Sequence, residues 1–345
     1  MYFSIVSILG DAFALTSTYP PNIMTTSGLV AIHPLTLVPN YCAGTNIYIW
    51  NEKADAKVKL LSSEQMVTES TFSFLLANSS QKVFVDESTY ASYKAYLIEN
   101  LEAWLTETRV PSILKTAVIS EYLHCQFKIG FESKSIRRML DISAECCRHL
   151  GQLGHHVGMN GRELQRVLRH DASFVTHAVN TALYVFLIAQ NIGYAREMIS
   201  EVCVGAMMHD IGKIEPGLLN GTCEVGTTNS SEWTLRVAQS HPLEGFRRLC
   251  HEPGVTESQL LMAYQHHEKL DGKGYPVGLL SNEIHEASKL CAVANRYDGL
   301  TSERPGRHAL TRMAAFRIIE SEKNTALDSE IIKCLEATMS QASTS

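Results

Sequence analysis

The sequence predicts a small α+β domain at the N-terminal end, followed by an all-α helical bundle. Two observations carry this fold class. Between residues 25 and 90, short apolar runs alternate with a period of two and are separated by turn residues, which is typical of strands. From Tyr90 onward the apolar period becomes that of a helix, and helical segments follow one another to the C-terminus. The 345 residues are enough for two domains, at roughly 100–200 residues each.

Residues 1–25 are interpreted as a disordered lead or an over-extended start, with Met24 as the alternative start. They are apolar, but the first basic residue is Lys53 and Asp11 interrupts the apolar run, so a signal peptide is not expected. Residues 26–108 are predicted to form the α+β domain. Its strands are expected at 46–50, 57–61 and 82–86.

Helices account for the rest of the chain. A helix that starts at Tyr90 carries its apolar residues on one face and ends before Pro111. Residues 109–158 are predicted to be a helical connector, whose segment 133–154 closes at glycines that suit a C-cap. Residues 159–345 are predicted to be all-α. Helices are expected there at 174–191, 197–209, 234–250, 257–267, 284–299, 309–322 and 328–340.

The composition is that of a soluble globular protein, with 45% hydrophobic and 19% charged residues. The acidic excess, 36 Asp and Glu against 30 Lys and Arg, argues against binding to a nucleic acid polymer, which requires a basic face. No uninterrupted run of ~20 apolar residues occurs, so no membrane span is expected. The nine cysteines are scattered without a CxxC pattern, which favours reduced thiols and a cytoplasmic location.

Two motifs carry the residues with metal-binding chemistry. VGAMMHDIGKIEPG places an adjacent His–Asp pair at the end of an apolar helix, and AYQHHEKLDGKGYPVGL places two histidines before a glycine-rich turn. Two further histidines belong to other predicted helices. Helical bundles build dinuclear metal sites from ligands on several converging helices, and a carboxylate beside an imidazole can bridge two ions. The ligand-type residues are His177, His209, Asp210, His241, His266 and His267.

The combination of HDIGK with HHEKLDGKGYP resembles the signature of the HD-GYP domain, a bacterial branch of the HD metal-dependent phosphohydrolases. The resemblance covers about residues 160–345. It implies an HD-type helical bundle with a two- or three-metal site that hydrolyses the second messenger cyclic di-GMP. It also implies that residues 26–108 form a regulatory or sensory domain.

The resemblance implies a role for each matching residue. Asp210 is expected to bridge two ions, Lys213 to hold a phosphate oxygen, and Asp171 to lie near the nucleophilic water; these three form the predicted catalytic set. The predicted metal ligands are His177, His209, Asp210, His241, His266, His267 and Asn295. The predicted substrate-binding residues are Lys213, Arg304, Gly274 and Tyr275. The planar fork of the arginine suits a phosphate or a guanine edge, and Tyr275 either lines the pocket or presents a partner surface.

The chain departs from the family pattern at several positions, and two of them, Asn295 and Ser173, concern metal ligands. The family has an aspartate ligand where ANRYDGLTSERPG has Asn295, and Asp298 matches the second aspartate of that pattern. A carboxamide oxygen is a neutral and weaker donor than a carboxylate. Members with three metals carry a glutamate at the position of Ser173, so two divalent ions are expected here. Iron is the first choice, and manganese, nickel and zinc are alternatives.

The function predicted first is hydrolysis of cyclic di-GMP to pGpG or GMP. The alternative is a catalytically weakened HD-GYP domain that acts as a metal-containing cyclic di-GMP receptor, and Asn295 is its motive. A hydrolase for another cyclic dinucleotide is a third hypothesis, because the metal site dictates the reaction type but not the base. The expected partners are cyclic di-GMP, a diguanylate cyclase or another signalling protein at the GYP turn, and a second copy of the chain.

Overall fold

The computed structural model describes residues 28–51, 56–77, 82–214, 232–304 and 306–340. They fall into two compact units. The first comprises the chain up to Cys125 with segments 153–159 and 163–168, and the second comprises 126–152, 160–162 and 169 to the end. The lead or over-extended start expected at residues 1–25 lies outside the described residues, and the boundaries after 108 and 158 stay predictions.

The first unit contains an antiparallel sheet, whose strand order within the described residues is β1-β4-β2-β3. Its strands are β1 Leu29–Ile32, β2 Ile47–Asn51, β3 Ala56–Leu61 and β4 Val83–Asp86. The three predicted strands are therefore confirmed. Strand β1 was not predicted, because its four residues, LVAI, are all apolar and show no alternation. The register places Ile49 opposite Val58 on one side and Val83 on the other.

Among the described residues of the first unit, the chain up to Cys125 contains three α-helical segments. They are α1 Glu69–Ala77, α2 Tyr90–Thr106 and the N-terminal part of α3 Ser112–Glu132. Helix α2 has the predicted buried face, and Trp104 on that face is fully buried with edge-on contacts to Tyr41 and Tyr96, at 5.0 Å between ring centroids in both cases. Helix α1 was not predicted, because the mixed segment ESTFSFLLA has no clear helical period.

The helices that follow α3 include every helix predicted for the C-terminal part of the chain. They are α4 Ile136–Val157, α5 Gly161–Val167, α6 Phe174–Ile192, α7 Arg196–Met208, α8 Glu232–Leu249, α9 Glu257–Gln265, α10 Glu286–Thr301, α11 Arg312–Ser321 and α12 Ser329–Ser340. The short helix α5 was not predicted. Within the described residues, every helix falls short of the length or the apolarity that crossing a membrane requires.

Helix α4 runs past the glycines at which it was expected to end. It continues through Gly151 and Gly154 to Val157, and Gly158 follows with φ 64°. A Cβ on Gly151 would lie 2.2 Å from Ser200 Oγ, so this glycine allows a close approach to α7. The expected C-cap near 154 is therefore wrong, because a glycine suits a helix end and a close helix contact equally well.

Helix α6 forms the centre of the second unit, since its residues from Val175 to Ala189 are all buried. It packs against α7, α10 and α12, while α9 packs against α7, α8 and α10. Ser173 caps its N-terminus by accepting a hydrogen bond from Thr176 N. The four helices α6 to α9 carry the histidines of the predicted site.

Candidate metal centre

The six predicted ligands on helices α6 to α9 meet at one place in the second unit. His177 lies in the first turn of α6, and His209 directly follows α7. Asp210 begins a short 3-10 turn, Ile211–Lys213. His241 lies in α8, and the pair that follows α9 supplies the last two imidazoles. Gly212 permits this arrangement, because a Cβ there would lie 1.9 Å from His241 O.

The carboxylate of Asp210 divides its two oxygens between two sets of histidines. Oδ2 lies 3.5 Å from His177 Nε2 and 3.4 Å from His209 Nε2. Oδ1 lies 3.2 Å from His241 Nε2 and 3.4 Å from His266 Nε2. The two Nε2 atoms of the second set are 3.1 Å apart. One carboxylate thus faces two neighbouring points at which donor atoms converge.

Two groups could each hold a metal ion. The first, named the His177 group, is His177, His209 and Asp210; the second, named the His267 group, is Asp210, His241, His266 and His267. Within each group the ligand atoms lie within 4.8 Å of one another. Imidazole nitrogens with a carboxylate oxygen are ligands that suit Fe, Mn, Ni and Zn.

Hydrogen bonds to the second ring nitrogen orient three of these histidines. His177 Nδ1 donates to Asp298 Oδ2 at 2.6 Å, and His209 Nδ1 donates to Ala206 O at 2.7 Å. His266 Nδ1 donates to two backbone carbonyls at 3.0 and 3.1 Å. With the proton on Nδ1, each Nε2 presents a lone pair to the Asp210 carboxylate, as metal ligation requires.

Buried atoms without partners test whether the residues fit a metal. Nε2 of His209 and Oδ1 of Asp210 have no hydrogen-bond partner among the described residues, although the two side chains are 0% and 2% exposed. Leaving such an atom unsatisfied costs ~1–3 kcal/mol each. A cation at each convergence point satisfies both atoms, so the residues fit a metal.

The ionisation of the cluster suits ligation as well. Burial lowers the pKa of His177, and burial with neighbouring histidines lowers the pKa of His266 to about 3, so both imidazoles are neutral. Burial acts to raise the pKa of Asp210, but the electrostatic effects of His209 and Lys213 outweigh it and hold that pKa well below its usual range. His177 and His266 therefore present neutral nitrogens beside one carboxylate anion.

The predicted catalytic residues differ in how close they come to this cluster. Lys213 Nζ lies 2.6 Å from Asp210 Oδ2, with the lysine side chain 26% exposed. Asp171 Oδ1 accepts from Ser173 N at 2.9 Å, in the loop before α6. Asn295 is half-buried on α10, one turn before Asp298. In the described part of the chain, neither Asp171 nor Asn295 hydrogen-bonds to the two ligand groups.

The predicted substrate-binding residues lie in two loops. Arg304 exchanges backbone hydrogen bonds with Arg307 in the loop after α10, and its charge contributes to lowering the pKa of Asp298, where burial acts in the opposite direction. Gly274 belongs to the glycine-rich turn after α9, where a Cβ would lie 2.3 Å from Lys269 N. The ring of Tyr275 stacks on that of His267, with centroids 4.7 Å apart.

Three residues that support the cluster were not predicted in that role. Asp298 is buried and accepts from His177 and from Asn180 Nδ2, the latter at 2.8 Å. Asn180 follows His177 by three residues, and this helical spacing could have predicted that the two side chains share one face of α6. Glu268 is buried beside the ligand pair and hydrogen-bonds to the glycine-rich turn. Its position directly after the His–His pair predicted only that it lies near the site, and not that it binds the turn.

Comparisons with known proteins find relatives for the part of the chain that contains this cluster. Residues 163–331 match the HD domain family. A 3′3′-cGAMP-specific phosphodiesterase of Vibrio cholerae is 32% identical over 161 residues, which cover 46% of this chain and 34% of that protein. A cyclic di-GMP phosphodiesterase of Pseudomonas aeruginosa is 26% identical over 222 residues, which cover 64% of this chain and 50% of that protein. The chain spans about a third to a half of the length of these relatives.

One solved structure resembles nearly the whole chain. It is described as an HDG"Y"P protein from Bdellovibrio bacteriovorus, and it matches with a TM-score of 0.62 at 16% sequence identity. The match covers 91% of this chain and 100% of that chain. This likeness concerns the fold, and it confirms the predicted class of an α+β part followed by an HD-type helical bundle.

Proposed function

We propose that the protein is a dinuclear-metal phosphodiesterase that hydrolyses cyclic di-GMP to pGpG or GMP. The premise is that residues 163–331 of this chain match the HD domain family. The observation that carries the proposal is the division of the Asp210 carboxylate between two histidine groups. Relatives named as cyclic di-GMP phosphodiesterases support the substrate class. Iron is the proposed metal, with manganese, nickel and zinc as alternatives.

The ligand groups divide the work of metal binding in this proposal. The His177 group would hold one ion and the His267 group the other, and Asp210 belongs to both groups. When bound, two such ions lower the pKa of a water molecule and polarise phosphoryl oxygens. Asp210 has to remain an anion for this purpose, and its lowered pKa keeps it so at neutral pH. Asn295 is the proposed weak ligand on α10.

The remaining predicted residues act on the substrate. Lys213 is partly exposed beside the shared carboxylate, so its ammonium group can turn towards a phosphoryl oxygen and stabilise charge that develops there. Asp171 is proposed to orient the attacking water. Arg304 contacts the second phosphate or a guanine edge, and Gly274 and Tyr275 line the pocket from the glycine-rich turn.

The experiment that tests this function compares three forms of the full chain, reconstituted anaerobically with iron or manganese. Wild type is expected to bind two ions and to convert cyclic di-GMP into the linear dinucleotide. His177→Ala is expected to retain one ion, because it damages one group only, whereas Asp210→Ala is expected to lose both. Bound metal and product are quantified in the same samples. Full metal content in Asp210→Ala contradicts the proposal.

A second candidate function is a cyclic di-GMP receptor without turnover, which the neutral side chain of Asn295 favours. Metal-loaded wild type that binds cyclic di-GMP without consuming it supports this receptor. Hydrolysis of 3′3′-cGAMP in preference to cyclic di-GMP supports the third hypothesis, which the similarity to a 3′3′-cGAMP-specific phosphodiesterase also favours. The regulatory role of residues 26–108 is a proposal that follows from the resemblance. The cytoplasmic location, which follows from the scattered cysteines, and a homodimer are proposals as well.

A further inference from the structure

His267 is held differently from the histidines that surround it. The Nδ1 atoms of His177, His209 and His266 each donate a hydrogen bond to a carboxylate or a carbonyl. The His267 ring makes no hydrogen bond within the described residues, and it is only half-buried. Its ring contacts are with other imidazoles and with Tyr275, which stacks on it at 4.7 Å and an interplanar angle of 21°. Stacking therefore takes the orienting role that a polar partner has elsewhere.

The turn that carries Tyr275 is fixed by the carboxylate of Glu268. This side chain is 4% exposed and accepts hydrogen bonds from three consecutive backbone amides. Its Oε1 accepts from Val277 N at 2.7 Å and Gly278 N at 3.1 Å, and its Oε2 accepts from Gly278 N at 3.0 Å and Leu279 N at 3.0 Å. Both carboxylate oxygens thus bind the segment that follows Tyr275.

The other side of the turn also lies against the end of α9. Tyr275 N donates to His267 O at 3.2 Å. Gly274 approaches so closely that a Cβ would lie 2.5 Å from Glu268 Cα. Because Tyr275 lies between this close approach and the amides held by Glu268, its ring has little freedom to leave the imidazole.

We propose that Glu268 is a positioning residue for His267: it holds the glycine-rich turn so that the Tyr275 ring orients the imidazole towards Asp210, His241 and His266. The inference rests on the proposed metal centre and deepens it. Its consequence is selective, because the turn contacts the His267 group, whereas the His177 group is oriented by Asp298 and a backbone carbonyl. Loss of the carboxylate is therefore expected to weaken one of the two metal sites.

The test is a calorimetric titration of the metal-free full chain with Mn²⁺ under anaerobic conditions. In Glu268→Gln, one carboxylate oxygen becomes an NH2 group that faces a backbone N–H, so the turn loses its hold. We expect the affinity of one site to fall about 10-fold or more while the other site is unchanged. Glu283→Gln is the matched control, since Glu283 is an exposed carboxylate that accepts from a single amide of the same loop, Leu280 N. It is expected to bind both ions as wild type does.

Variants of Tyr275 show whether the effect passes through its ring. Tyr275→Phe keeps the stacked ring and is expected to bind like wild type, whereas Tyr275→Ala is expected to resemble Glu268→Gln. The double variant Glu268→Gln/Tyr275→Ala is expected to be no weaker than Tyr275→Ala, because both changes remove the same support. Additive losses, or equal losses at both sites, overturn the proposal by making Glu268 a general structural residue.

The outcomes separate this inference from the proposed function. Wild type that binds fewer than two ions overturns the dinuclear centre and this inference with it. Wild type that binds two ions, beside Glu268→Gln with unchanged affinities, overturns this inference alone. If Glu268→Gln does not fold, the comparison of Tyr275→Ala with Tyr275→Phe decides, and equal affinities at the His267 group overturn the proposal.

Discussion

Replacement of Asp298 by asparagine is expected to weaken metal binding at the His177 group while the protein remains folded. Asp298 is 1% exposed, and all of its hydrogen-bond partners are donors. Its Oδ2 accepts from His177 Nδ1 at 2.6 Å, and its Oδ1 accepts from Asn180 Nδ2 at 2.8 Å and Ser302 Oγ at 3.1 Å. A carboxamide offers one oxygen and one NH2 group, so one side of it must face a donor.

The structure indicates which partner loses its acceptor and how large the effect is. Asn180 and Ser302 share one oxygen, so the carboxamide oxygen is expected to stay with them and the NH2 group to face His177 Nδ1. His177 then carries its proton on Nε2, which points at Asp210 Oδ2, 3.5 Å away. A protonated Nε2 cannot bind a metal. Loss of such a supporting partner lowers metal affinity ~10–100-fold, which corresponds to about 1.4–2.8 kcal/mol.

The assay is a metal titration of Asp298→Asn beside wild type, with unfolding measured on the same preparations. Ser302→Ala is the control, because it removes one hydrogen bond from a neutral donor to the Asp298 carboxylate and leaves the acceptor of His177 intact. It is expected to lose ~1.5–3 kcal/mol of stability, as for a hydrogen bond to a charged group, and to bind metal like wild type. Wild-type affinity at both sites of Asp298→Asn refutes the reasoning, because His177 then does not depend on that acceptor.

Three further predictions follow from the site. Gly212→Ala is expected to lower the free energy of unfolding by ~1–3 kcal/mol or more, because its Cβ would lie 1.9 Å from His241 O. Gly299→Ala is the control, because a Cβ there would have only an Arg304 side-chain atom near it, at 4.0 Å. This control should melt no lower than wild type. The metal-free protein is expected to lose stability as pH falls from about 6.5. His266 has a folded-state pKa of about 3, so its imidazole takes up a proton in the unfolded chain before it does so in the folded protein. Denaturant unfolding of the metal-free protein at pH 7.5 and pH 5 checks this, and equal stability at the two pH values contradicts it. Asn295→Asp is expected to increase metal affinity and turnover if a carboxylate is what the site lacks, and unchanged metal content together with unchanged turnover in the reconstituted variant contradicts that role.

Much of the fold was predictable because local pattern specifies local structure. The period-2 segments around Ile49 and Val85 and the one-sided apolar pattern of α2 needed no tertiary information. The misses were segments whose pattern is short or ambiguous. Strand β1 has only four residues, all of them apolar. Gly151 in α4 allows a close contact with Ser200, which the sequence of the helix itself does not indicate.

The sequence by itself determined which kinds of donor atom the protein offers, because residue type and motif spacing are enough to predict imidazoles and one carboxylate on converging helices. The segment that matches the HD domain family, residues 163–331, contains both of the motifs that carry these donors. Tertiary structure alone decided how the ligands are shared and held. Asp298 meets His177 across 121 residues of chain, and the two oxygens of Asp210 face different helices. Such distances depend on how whole helices pack, which no local pattern encodes.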